Sequence, residues 1–154
     1  MSTVSRRVFI ASGLALTAGP ARAAAPAWYS DGTGGFAADG ADVVAYRGLD
    51  ADARGVAGDA AHQTEWNGAK WRFVSAENLA TFRADPESYA PRFGGYCAWA
   101  VSKGYTAHGD KDAWHIHDGH LYLNYSRGVR RRWRRDIPGN ISLAEGNWPA
   151  VLNA

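Results

Sequence analysis

A single cysteine, Cys97, and a single methionine stand in the 154 residues. One thiol excludes an internal disulfide and a cysteine-rich structural zinc site. No Ser/His/Asp spacing, paired carboxylates or nucleophile elbow stands out, so no hydrolase template applies. No apolar run is long enough to span a bilayer about 30 Å thick as a helix. Bulk charge is also lacking. The arginines of residues 1–23 set aside, 14 basic residues face 15 acidic ones, which argues against a polyanionic partner such as nucleic acid.

Aromatic residues, by contrast, are plentiful: seven Trp, seven Tyr and five Phe, enough for a well-packed core. The first residues read as an address. Arg6 and Arg7 precede an apolar stretch reaching about to Ala18, Pro20 ends it, and Ala21, Arg22, Ala23 form an A-x-A cleavage site. This predicts twin-arginine export, a signal over residues 1–23 and a periplasmic mature protein. Residues 24–40, rich in Ala and Gly and without apolar period, are expected to form a flexible leader. Residues 41–154 form one domain.

Within that domain Asp42–Tyr46 reads as a short core strand. Asn67-Gly68 and Asp118-Gly119 each lie between alternating runs and predict two-residue hairpin turns. In the first hairpin Thr64, Trp66, Trp71 and Phe73 share the buried face, and Gln63, Glu65, Lys70 and Arg72 the wet one. Ser75 caps a helix to Ala84 that buries Leu79 and Phe82, and Pro86 opens a short helical piece toward Tyr89. Ala98–Ser102 can be helical. Val129 and Trp133 give one apolar edge to an arginine-rich helix, which Ile137 before Pro138 should close. The expected class is α+β: a small antiparallel sheet built from hairpins, short helices packed on it, and C-terminal helices.

The run Trp66, Asn67, Gly68, Ala69, Lys70, Trp71, Arg72, Phe73, Val74, Ser75, Ala76, Glu77, Asn78, followed by Phe82, Asp85, Pro86 and Tyr89, resembles the YHS domain, a hairpin followed by a helix. Asp42–Tyr46 and the run from Gly94 to Ser102 resemble the exported, uncharacterised branch of that family. The resemblance implies a fold but little about activity. Metal-binding relatives carry cysteines at the positions matching Val74 and Asn78. This chain has none there, so the family's thiolate site does not carry over.

Three functional readings remain open. The first is a non-catalytic binding or interaction module that holds another envelope protein. The second is a copper- or zinc-binding protein using His108, His115, His117 and His120. In the second hairpin His117 should lie opposite His120 and His115 opposite Tyr122, all on one face, with Trp114, Ile116, Leu121 and Leu123 on the other; opposed Cβ atoms about 4.5–5.5 Å apart let two imidazoles reach one ion. The third is a thiol enzyme acting through Cys97. Arg127–Arg135 reads as a solvated helix face, with at most peripheral contact to an anionic membrane surface and no nucleic acid.

Overall fold

Two consecutive positive-φ residues end each hairpin turn: Asn67 at +49° with Gly68 at +76°, and Asp118 at +48° with Gly119 at +76°. Such pairs match the right-handed twist of the flanking strands, and Asn, Asp and Gly adopt them at little cost. In the computed structural model, which describes residues 23–30 and 34–154, they organise two separate antiparallel two-stranded sheets. The expected hairpins are therefore present but do not join into one sheet. The arginine pair and the apolar run read as a signal lie outside the described residues.

The first sheet pairs β1 (Asp59–Trp66) with β2 (Ala69–Phe73) in the expected register, Thr64 opposite Trp71 and Trp66 opposite Ala69. Trp71 and Phe73 are buried, whereas Glu65 and Lys70 are exposed. Helix α1 (Ala76–Ala84) follows at once: the Ser75 hydroxyl accepts from the Asn78 amide at 3.1 Å, and Phe82 is buried against Trp71 and Phe73. Asp85 caps α2 (Pro86–Tyr89), a 3-10 turn spans Arg92–Gly95, and α3 (Ala98–Ser102) leads to the second hairpin. This is β3 (Asp110–His117) with β4 (His120–Asn124). Helix α4 (Arg127–Trp133), a 3-10 turn and α5 (Ile137–Asn147) complete the C-terminal helical region.

Two expectations are corrected. Asp42–Tyr46 is not a strand: the Asp42 carboxylate accepts from the amides of Val44 and Ala45, folding the chain into a turn that runs into a 3-10 helix over Ala45–Gly48. A short side-chain acceptor here competes successfully with β propensity. Val43 and Tyr46 still enter the core. Pro138 opens α5 instead of closing the helix before it. Asp136 caps that helix through the Gly139 amide, and a proline in the first turn removes only an amide with no intrahelical partner.

Apolar side chains gather in two clusters. One holds Val43, Tyr46, Trp71, Phe73, Phe82, Trp114, Leu121 and Leu123. The other holds Phe93, Tyr96, Val101, Tyr122, Trp133, Ala144 and Val151. Strand β4 divides them, because side chains alternate along it: Leu121 and Leu123 point into the first cluster and Tyr122 into the second. The strand is buried on both faces. Part of the stretch read as a leader is packed as well, since Phe36, Ala37 and Ala38 are buried in or beside the first cluster.

Candidate functional site: an aromatic cleft at the seam of two cores

Residues 25–29 bridge the two clusters: Ala25 and Tyr29 pack against the second and Trp28 against the first. The Ala25 amide donates to the Leu152 carbonyl at 2.7 Å, and the Tyr29 amide to the Gly94 carbonyl at 2.8 Å. Between them the Trp28 indole donates to the Asn67 carbonyl at 2.9 Å and packs on Trp66 and Trp71, ring centroids 5.5 and 5.1 Å away. This strap needs glycine beneath it. Gly94 has φ +60°, and a Cβ there would sit 2.0 Å from the Ala27 carbonyl oxygen.

Beside the strap the seam opens into a cleft of about 650 Å³. Trp28 and Trp66 form one aromatic wall, Phe93 and Trp148 the other, the latter pair with centroids 6.0 Å apart. Arg92 and Glu145 form an ion pair at 3.3 Å on the rim, and Glu87 is exposed beside them. The lining thus mixes aromatic rings with the polar side chains of Asn67, Glu87, Arg92 and Glu145, and the volume falls in the usual range of ligand sites, about 300–1,000 Å³. Sequence reading missed Trp28, Phe93, Arg92, Glu145 and Trp148. The available signal was a tryptophan in the Ala/Gly-rich stretch and another beyond the last helix, each outside any amphipathic period.

The four histidines are placed as follows. His117 stands opposite His120 and His115 opposite Tyr122, in the expected register. The face is partly covered: His120 is exposed and His117 half-buried. Trp133 of α4 covers its inner end, 5.8 Å from the His115 ring and 5.2 Å from Tyr122. Burial, followed by the nearby Arg134, Arg130 and His117, holds the His115 imidazole below its ordinary pKa. His117 contacts Asp118 at 3.4 Å. His108 lies elsewhere, its ring 4.3 Å from that of Tyr125 and 5.9 Å from Tyr29. Among the described residues no group of three or more His, Cys, Asp or Glu side chains could hold a metal ion. The hairpin register thus holds, but the four imidazoles do not converge.

Cys97 is 1% exposed. Its sulfur accepts from the Ala100 amide at 3.4 Å at the start of α3 and lies 4.0 Å from the Asn124 Oδ1. Burial raises the thiol pKa, and the amides of Ala100, Tyr125 and Trp99 offset this only in part. A buried thiol held in its neutral form is a poor nucleophile.

Val74 and Asn78 converge on one partner, Asp42. The Val74 amide at 2.8 Å and the Asn78 Nδ2 at 2.7 Å both donate to Asp42 Oδ2, while Oδ1 takes the amides of Val44 and Ala45. Asp42 is fully buried. The result is a closed hydrogen-bond node joining the first turn to the end of β2 and the start of α1. A scan against protein-family models finds no match to this chain, and searches of curated proteins and of solved structures likewise find none.

Proposed function

We propose that the chain is a non-catalytic binding module of the YHS type, working in the periplasm after twin-arginine export, and that the aromatic cleft takes a flat apolar group of its ligand or partner. One observation carries this reading: a cleft of about 650 Å³ walled on both sides by indole and phenyl rings, at a seam between two cores. Aromatic walls present large contact area with little side-chain entropy to lose, which favours binding. The alternatives have less support. Cys97 is buried with a raised thiol pKa, and His108 stands apart from the hairpin histidines.

The naphthalene dye 8-anilinonaphthalene-1-sulfonate supplies a flat apolar probe. It should bind the native protein one to one, and a Trp66→Ala, Trp148→Ala variant should weaken it about tenfold or more, since truncating an aromatic anchor costs over about 1 kcal/mol. Near-ultraviolet circular dichroism checks that the variant is folded. Equal affinity in a folded variant rejects the cleft. Stoichiometric zinc binding that is lost on changing His117 and His120 would favour the metal reading instead.

A further inference from the structure

We infer that the exposed face of α4 and the turn after it docks the protein on an anionic lipid bilayer. This inference stands apart from the cleft. Six of the 14 basic residues beyond position 23 lie within residues 127–135, a stretch with no acid, and the other eight are set against all 15 acidic residues. Near-neutral net charge therefore conceals a concentration of positive charge in one stretch. Such a charge distribution orients a protein toward a negative surface.

Two of the six arginines are engaged internally. Arg130 is buried, bonded to the Ala51 and Trp114 carbonyls and paired with Asp52, and Arg127 bonds the Asp112 and Asp52 carbonyls. The remaining four, Arg131, Arg132, Arg134 and Arg135, are exposed and make no ion pair among the described residues. They follow one another at i, i+3 and i, i+4, spacings at which like charges destabilise a helix. Asp136, the nearest acid in sequence, caps α5 through the Gly139 amide and lines the same shallow pocket as Arg132 and Arg135, so one carboxylate stands against the four guanidinium groups. The fold thus keeps four guanidinium groups against one carboxylate with no ion pair between them, which leaves a net positive face for an external anion.

The surroundings favour a lipid surface over other polyanions. Lys103 and Trp99 share a shallow pocket with Arg132 and Arg135, and the Lys103 ammonium sits 4.3 Å over the Trp99 ring. Single-stranded nucleic acid needs an open aromatic platform in a basic groove. Here the basic residues lie on a helix face, which is convex, and the nearby indole already carries a lysine. A plane of phosphate headgroups requires only projecting cations, and a half-buried indole suits the headgroup region. Among the described residues no helix is long and apolar enough to cross a membrane, so attachment would be peripheral.

The test is sedimentation of the full chain with vesicles of phosphatidylglycerol and phosphatidylcholine in equal parts, against phosphatidylcholine alone. Binding should require phosphatidylglycerol and be released by 0.5 M salt. An Arg132→Gln, Arg135→Gln variant should bind roughly twenty-fivefold more weakly, at about fivefold for each cation near the surface. The matching Arg→Lys pair should bind within about twofold of the parent, because charge and not fork geometry is read. Arg83→Gln, which removes a cation from α1 outside the patch, should leave partitioning unchanged. Equal partitioning of the glutamine variant, or equal binding to pure phosphatidylcholine, would overturn the inference. So would saturable binding of inorganic phosphate that abolishes vesicle binding, or a preference for an oligothymidylate over vesicles.

Discussion

Replacing Asp42 by Asn changes one atom of a fully buried side chain, and the structure says what that atom does. Both carboxylate oxygens accept: Oδ1 from the amides of Val44 and Ala45, Oδ2 from the amide of Val74 and the Asn78 side chain. An asparagine offers one oxygen, so either choice of orientation leaves two donors facing an NH2 group. Each buried donor left unpaired costs about 1–3 kcal/mol. A loss of about 3 kcal/mol is expected, against a total of about 5–15 for a domain. With a urea slope near 2 kcal/mol per molar, the midpoint should fall by about 1.5 M; the melting temperature should fall by roughly 10 °C. Urea unfolding followed by tryptophan fluorescence measures this. Asn78→Ala removes one donor without reversing any, so about 1 kcal/mol is expected there. An Asp42→Asn protein within about 1 kcal/mol of the parent would refute the account of the node.

Cys97 should react with iodoacetamide at pH 8 at least about a hundredfold more slowly in the native protein than in urea, because access requires local opening. Labelling within tenfold of the unfolded rate would show a reachable thiol. His115 has a lowered folded pKa, so the unfolded chain binds its proton first and stability is lost as pH falls through about 6.5 toward the folded value. His115→Gln should flatten that loss between pH 7.5 and 5.5 in urea midpoints. An unchanged difference between the two proteins at both pH values would count against it.

Local signals were legible wherever one short stretch decides the outcome. The Asn67-Gly68 and Asp118-Gly119 turns, the Ser75 cap and the opposed pairs of both hairpins can be read from residues close together in sequence. Asp42 shows the limit of that reading. Asp42–Tyr46 carries the β-rich, apolar composition of a strand, yet the carboxylate that begins it bonds amides 2, 3 and 32 residues away and an amide side chain 36 residues away. Strand propensity spans only about 1 kcal/mol, and four hydrogen bonds to one buried carboxylate outweigh it. The expectation that Pro138 closes the preceding helix fails for a related reason: a proline can end one helix or open the next with the same ring, and the Asp136 cap decides for opening.

The site was less legible because it belongs to no single element. The histidine face of the second hairpin was read as one of two sides of a sheet, one facing core and the other solvent. Strand β4 instead has a core on each side, since α4 returns and lays Trp133 over His115 and Tyr122. Trp133 covers the inner end of that face, at His115, while half-buried His117 and exposed His120 sit at its turn end and His108 packs on Tyr125. The same doubling creates the cleft. Two clusters that meet at a strap leave a seam where neither has rings enough to close it, and Trp28, Trp66, Phe93 and Trp148 come to that seam from positions up to 120 residues apart. Periodicity finds a residue's own face within one element. A wall assembled from four elements becomes visible only when the second core is placed.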